Sequence, residues 1–144
     1  IPSSLKEASL VIGFSGDTSP TGRMVAKVAR LISNNPEMIS EMESISKITT
    51  AGLTALSAGN LEGLGLAMNA CHERLRILEV STPKLDRMVE AAKPHSLGSK
   101  LTGAGGGGCM VSLTNDPTRV AEAIEISGGS PLITRLGAEG VRAI

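Results

Sequence analysis

Apolar positions recur along this chain in two rhythms. Leu10-Val11-Ile12-Gly13-Phe14 is a short β-branched and apolar run, closed by Ser15-Gly16-Asp17, and it predicts a buried strand. Ser19-Pro20-Thr21 then opens a helix, with Ser19 as N-cap and Pro20 at the first helical position. Met24, Val25, Val28, Leu31 and Ile32 follow at helical spacing until Asn34-Asn35-Pro36 stops them. A second helical stripe carries Met38, Ile39, Met42, Ile45, Ile48, Leu53 and Leu56 and closes at Gly59-Asn60. A third carries Leu61, Leu64, Met68, Cys71, Leu75 and Leu78. A fourth runs from Pro83 through Leu85, Met88, Val89 and Ala92 and stops before Pro94. Met and Leu stripes of this kind are most simply core faces.

The rhythm changes at Ser96. Ser99 to Thr102 and Cys109 to Leu113 read as strands around a glycine run from Gly103 to Gly108. Asp116-Pro117 opens a last helix over Val120, Ala121, Ala123 and Ile124, and Gly128-Gly129 stops it. Pro131 to Thr134 and Gly140 to Ile144 are weaker strand signals. This order of elements predicts an α+β fold: a small antiparallel sheet, of the ferredoxin-like plait type, covered by several helices.

Composition narrows the function. The chain has 144 residues, enough for one domain with an ordinary core. Lys plus Arg equals Asp plus Glu at 14 each, so neither nucleic acid nor an anionic membrane finds a basic surface here. Phe14 is the single aromatic residue, which removes base-stacking and sugar-stacking clefts. No apolar run approaches a membrane span, and no secretory leader pattern is present. Cys71 and Cys109 fit neither a disulfide framework nor a zinc site and are expected to be reduced, mostly buried thiols of a cytoplasmic protein.

The candidate chemistry lies in Lys100-Leu101-Thr102-Gly103-Ala104-Gly105-Gly106-Gly107-Gly108-Cys109. Glycines allow positive φ and let an anion approach backbone N–H groups. The plain alternative is a hairpin loop or a linker, but tight flanking by apolar strand residues argues for a shaped loop. Gly103-x-Gly105-x-x-Gly108 matches the dinucleotide pattern only in spelling, because a strand and not a helix follows. The Lys-Ser/Thr of a Walker loop is absent as well. Thr21, in the first turn of its helix, is either a capping hydroxyl or an anion contact. Lys100 reads more simply as a solvated strand lysine than as a phosphate ligand. Asn69 and His72 share a helical face without a third group to complete a triad or metal set, which favours a satisfied histidine. His95 falls in a loop, and Glu41, Glu43, Glu122 and Glu125 read as solvated helix faces.

The stretch K-L-T-G-A-G-G-G-G-C-M-V-S-L from Lys100 to Leu113 resembles the third conserved motif of the GHMP small-molecule kinases, with spelling closest to the mevalonate kinase branch. Ile12 to Gly16 with Ser19-Pro20-Thr21 resembles the family's strand, turn and helix start. Met68-Asn69 through His72, with Ser81-Thr82-Pro83-x-Leu85-Asp86, resembles its M-N-x-N-H and S-x-P-x-L-D runs. Two departures stand out: Phe14-Ser15 replaces Asp-Thr after the first strand, and Gly22 replaces the Lys after the helix-start Thr.

The resemblance implies that residues 1–144 form the C-terminal domain of an ATP- and Mg²⁺-dependent kinase for a mevalonate-like alcohol. Gly103, Ala104, Gly105, Gly106 and Gly107 would close on ATP, and Thr21 and Thr102 would meet the substrate. The family's second motif, its catalytic Asp and its acidic magnesium ligand belong to an N-terminal half that does not occur in this chain. No catalytic residue and no metal ligand are therefore assigned here, and the isolated chain is expected to be inactive. Its partners would be its own N-terminal domain and, as one allowed assembly, a second copy. Phosphomevalonate kinase, another GHMP kinase, or a non-catalytic α+β binding module are the alternatives.

Overall fold

The computed structural model describes residues 8–137. The elements run β1 (Ser9–Phe14), α1 (Thr21–Asn34), α2 (Ile39–Ser57), α3 (Leu61–Ile77), α4 (Pro83–Ala92), β2 (Gly98–Thr102), β3 (Cys109–Thr114), α5 (Pro117–Ile126) and β4 (Ser130–Arg135). Short 3-10 turns at Pro36–Met38 and Lys93–His95 follow α1 and α4. The strand signal at 140–144 lies outside the described residues.

The four strands pair antiparallel in the order β2-β3-β1-β4, so β1 is flanked by two strands from the far end of the chain. This is the expected ferredoxin-like plait, with α4 and α5 as its helices and α1 to α3 inserted between β1 and α4. Register places Leu101 opposite Met110 and Met110 opposite Gly13. A slip of one residue would turn that row away from the core. Val11, Leu101 and Met110 pack there with Leu85, Met88 and Val89 of α4 and Val120 and Ile124 of α5.

Helix starts follow their capping residues. Asn60 accepts from Gly63 N–H at 2.8 Å, Thr82 from Leu85 N–H at 3.2 Å and Asp116 from Arg119 N–H at 3.2 Å. At α1 the expectation fails, since Pro20 and not Ser19 is the N-cap. Pro20 is extended (ψ 129°), its carbonyl already accepts from Arg23 and Met24, and no side chain caps the helix. Ser19 stands one residue too early.

The helical stripes divide in the same way. On α4 the apolar face is core: Leu85, Met88, Val89 and Ala92 are fully buried. On α2 only Gly52 and Ala55 are buried, while Ile39, Met42 and Leu53 are exposed. The reading of that stripe as core is corrected, because α2 packs chiefly on α3 and borders open grooves on both sides. Among the described residues no helix is long and apolar enough to cross a membrane.

One contact sets how α3 meets the sheet. A Cβ on Gly65 would stand 2.2 Å from the Leu97 carbonyl oxygen, and one on Gly98 would stand 2.1 Å from the Gly65 carbonyl oxygen. Only glycine at both positions lets helix and strand approach this closely. Replacing Gly65 with Ala is expected to cost about 1–3 kcal/mol by overpacking. Gly22→Ala in α1, where no atom lies within 4 Å of the new Cβ, should instead be neutral or stabilising by up to about 1 kcal/mol. Urea unfolding of the two variants, with the unchanged chain as reference, checks both signs.

Candidate functional site

Between β2 and β3 the chain makes a shaped loop, not a linker. Gly103, Gly105, Gly106, Gly107 and Gly108 all have positive φ, between 71° and 142°. Two segments distant in sequence hold the loop down. Gly106 N–H donates to Val80 O at 2.8 Å and Gly108 N–H to Asp17 O at 2.8 Å, while Ser15 N–H donates back to Gly108 O at 2.8 Å. Side chains would not fit beneath it: a Cβ on Gly105 would lie 2.1 Å from Val80 O, and one on Gly107 2.8 Å from Asp17 O.

A cleft of about 360 Å³ opens between this loop and the start of α1. Thr18, Ser19 and Thr21 line it from the α1 side. Thr102, Gly103, Ala104, Gly105 and Gly107 line it from the loop side, with Gly108 and Cys109 continuing into β3. The fold therefore brings together both threonines singled out in the sequence and four of the five loop residues. Gly106 is the exception. Its amide is spent on Val80, and its Cα is tucked against Ser19 and Met24.

Donor accounting shows what the cleft suits. Within the described residues the N–H groups of Gly103, Ala104, Gly105 and Gly107 make no hydrogen bond, and neither do those of Thr21 and Gly22 at the start of α1. No carboxylate lines the cleft, and no acidic residue stands in the first turn of α1. Unpaired N–H groups in a glycine loop beside a helix N-terminus are complementary to phosphate oxygens. Thr21 carries a free hydroxyl into this setting, because it caps nothing. Among the described residues no three His, Cys, Asp or Glu side chains gather as a metal donor set.

The other residues weighed in the sequence sit elsewhere. Lys100 donates from Nζ to Leu101 O at 2.7 Å and borders the groove between α2 and α3. Cys71 and Cys109 are free thiols, both partly buried. Asn69 and His72 do point together, and their target is backbone. Asn69 Oδ1 accepts from Ser99 N–H at 2.9 Å and His72 Nδ1 from Leu101 N–H at 3.2 Å, along the outer edge of β2. His72 is 1% exposed, and its Nε2 lies 3.2 Å from Asp86 Oδ1. With Nδ1 accepting, Nε2 carries the proton and donates it to the carboxylate. Burial holds the His72 pKa below the ordinary range, and the Asp86 charge opposes that shift without cancelling it.

Residue-by-residue reading missed Thr18 in the cleft wall and the partnership of Ser81 and Asp86 with His72. The spacing of Asp86 from His72, across a helix end and a turn, carries no periodic signal. Only the S-x-P-x-L-D run hinted that Ser81 and Asp86 belong together.

A family model described as GHMP kinases C terminal matches residues 53–126. Mevalonate kinase of Pyrococcus furiosus is 39% identical over 94% of this chain and 43% of its own length. The crystal structure of L. major mevalonate kinase in complex with R-mevalonate aligns with a TM-score of 0.78 at 25% identity, over 92% of this chain and 44% of that one. Streptococcus pneumoniae phosphomevalonate kinase, solved with phosphomevalonate and AMPPNP, shares the fold at 20% identity and a TM-score of 0.76, over 90% of this chain and 40% of that one. The chain thus spans less than half the length of the relatives it matches.

Buried neutral His72 makes stability depend on pH with a definite sign. The unfolded chain takes up a proton near the ordinary histidine value of 6.5, whereas the folded chain takes it up only at lower pH. Stability is therefore complete above that value and falls as pH drops towards the folded pKa, at a slope of at most about 1.4 kcal/mol per pH unit. Urea midpoints at about pH 7.5 and about pH 5.5 should differ more for the unchanged chain than for His72→Gln, which keeps an acceptor and loses the titration.

Proposed function

The chain belongs to the GHMP kinase family, and on that premise we propose that it is the C-terminal domain of a mevalonate kinase. The whole enzyme would transfer the γ-phosphoryl group of ATP to the hydroxyl of mevalonate. The observation that carries this reading is the glycine loop, with four unpaired N–H groups at a cleft free of carboxylates. The P. furiosus relative and the L. major neighbour support the choice of alcohol.

Phosphoryl transfer is largely positioning and charge neutralisation. This chain's share would be to hold phosphate oxygens on the amides of Gly103, Ala104, Gly105 and Gly107, where they replace water at no cost in reorganisation. Gly106, named with them in the sequence, would act by anchoring the loop to Val80. The Thr21 and Thr102 hydroxyls would contact the alcohol or its carboxylate from opposite walls. Bound Mg²⁺ would supply charge neutralisation at the phosphates. Its acidic ligands and the group that accepts the alcohol proton would come from the N-terminal domain, as the family resemblance implies. The protein would work in the cytoplasm, which suits its two free thiols.

Two assays test the reading. The polypeptide joining this chain to its N-terminal half is expected to form ADP from ATP only when mevalonate is present, and this chain alone to form none. Turnover of phosphomevalonate in place of mevalonate would move the reading to the neighbouring kinase, and turnover by this chain alone would overturn the division of labour. In the active polypeptide, Gly103→Val puts a β-branched residue where φ is 79°, so although no neighbouring atom lies within 4 Å the strained backbone must turn its amide away from the cleft. It should lower kcat/KM for ATP on the order of a hundredfold, the loss typical of one displaced oxyanion donor.

A further inference from the structure

The glycine loop cannot hold its own shape. Five of its residues lack a side chain, and glycine has more backbone freedom than any other residue. Its geometry must therefore be imposed by what it rests on. Besides the contacts with Ser15, Asp17, Ser19 and Met24, two supports bear on it from the β2 and α4 side. Leu101 and Thr102 of β2 lead into the loop, and Val80 carries Gly105 and Gly106.

These two supports, some twenty residues apart in sequence, converge on one carboxylate. Ser81, the neighbour of Val80, donates from Oγ to Asp86 Oδ1 at 2.6 Å. His72 Nε2 lies 3.2 Å from the same oxygen, and His72 Nδ1 accepts the Leu101 N–H. The second oxygen, Oδ2, is 3.3 Å from Arg76 Nε, which fixes the carboxylate plane from α3. A cap for α4 is not what this arrangement provides, because Thr82 already caps that helix.

We propose that Asp86 is a positioning residue for the glycine loop, holding the segment beneath it through Ser81 and the strand that enters it through His72. The proposal rests on the reading of that loop as a phosphate cradle. Asp86 touches neither substrate nor loop. It fixes the directions in which the loop amides point, and so acts on anion affinity.

Ser81→Ala is the test, because it removes one hydroxyl and leaves Asp86 paired with His72 and Arg76. In the polypeptide carrying both halves, KM for ATP is expected to rise about tenfold, the size of one lost charge-assisted hydrogen bond, with kcat and KM for mevalonate within about twofold. Ser81→Thr, which keeps the hydroxyl, should restore KM. Amide NMR of the 144-residue chain gives a readout independent of turnover: in Ser81→Ala, and likewise in the near-isosteric Asp86→Asn, the Gly103 to Gly107 resonances should shift. Asn69→Ala is the control, since Asn69 holds Ser99 of the same strand without touching Asp86. It should leave the loop resonances in place. Loop resonances unmoved by Ser81→Ala, or moved equally by Asn69→Ala, would overturn the proposal. An equal loss of kcat would do the same, as a general loss of folded protein. If the longer polypeptide phosphorylates no alcohol, the kinase reading fails by itself, and the loop resonances still decide the role of Asp86.

Discussion

An edge strand presents backbone N–H groups that need acceptors, and in this fold the answer to that need organises everything around it. The outer edge of β2 is closed by two side chains of α3, Asn69 on Ser99 and His72 on Leu101, while Gly65 and Gly98 let the helix come near enough for them to reach. Because α3 is fixed along β2, its last turn delivers the chain to Leu78 and Val80 in the core, under the glycine loop. The apolar sheet core then positions only half of the cleft. The other half depends on His72, which satisfies the Leu101 N–H at the sheet edge and reaches Asp86 with its second ring nitrogen.

Elements whose ends are set by local chemistry were legible in the sequence. α3, α4 and α5 start where Asn60, Thr82 and Asp116 stand, and β2 and β3 flank the glycine run as read. Thr21, Thr102 and most of the loop line one cleft, residues that only the family resemblance had linked. What escaped depends on long-range partners. The stripe on α2 has core spacing, but periodicity does not say whether a second surface arrives to cover it. His72 could be read as satisfied without a named partner, since its acceptor and donor bonds reach Leu101 and Asp86, 29 and 14 residues away. Gly106 could not be told from its neighbours, because five glycines in a row of six carry no mark of which amide turns inward.

Two apolar grooves border α2. One groove, lined by Met24, Val28, Met42, Ile45 and Leu75, runs up to Gly103 and Ala104, so it adjoins the same loop that borders the cleft. Ala104 belongs to both, and its methyl packs against the core cluster. The loop carries one alanine among its glycines because a methyl at that position fills an apolar contact, whereas one at Gly105 would strike the Val80 carbonyl.

The place of β1 in the sheet bears on how the chain reaches this state. β1 is made first, yet its two neighbours are β3 and β4, whose residues follow it by about a hundred positions or more. During synthesis the strand must wait, unpaired, until nearly the whole domain has emerged, and its ladder closes through contacts of high sequence separation. The segment from Ser15 to Asp17, which pins Gly108, hangs from that strand. The cleft beside the glycine loop is thus among the last features to assemble, and a nascent or truncated chain lacking β3 lacks the wall that Gly108 and Cys109 supply.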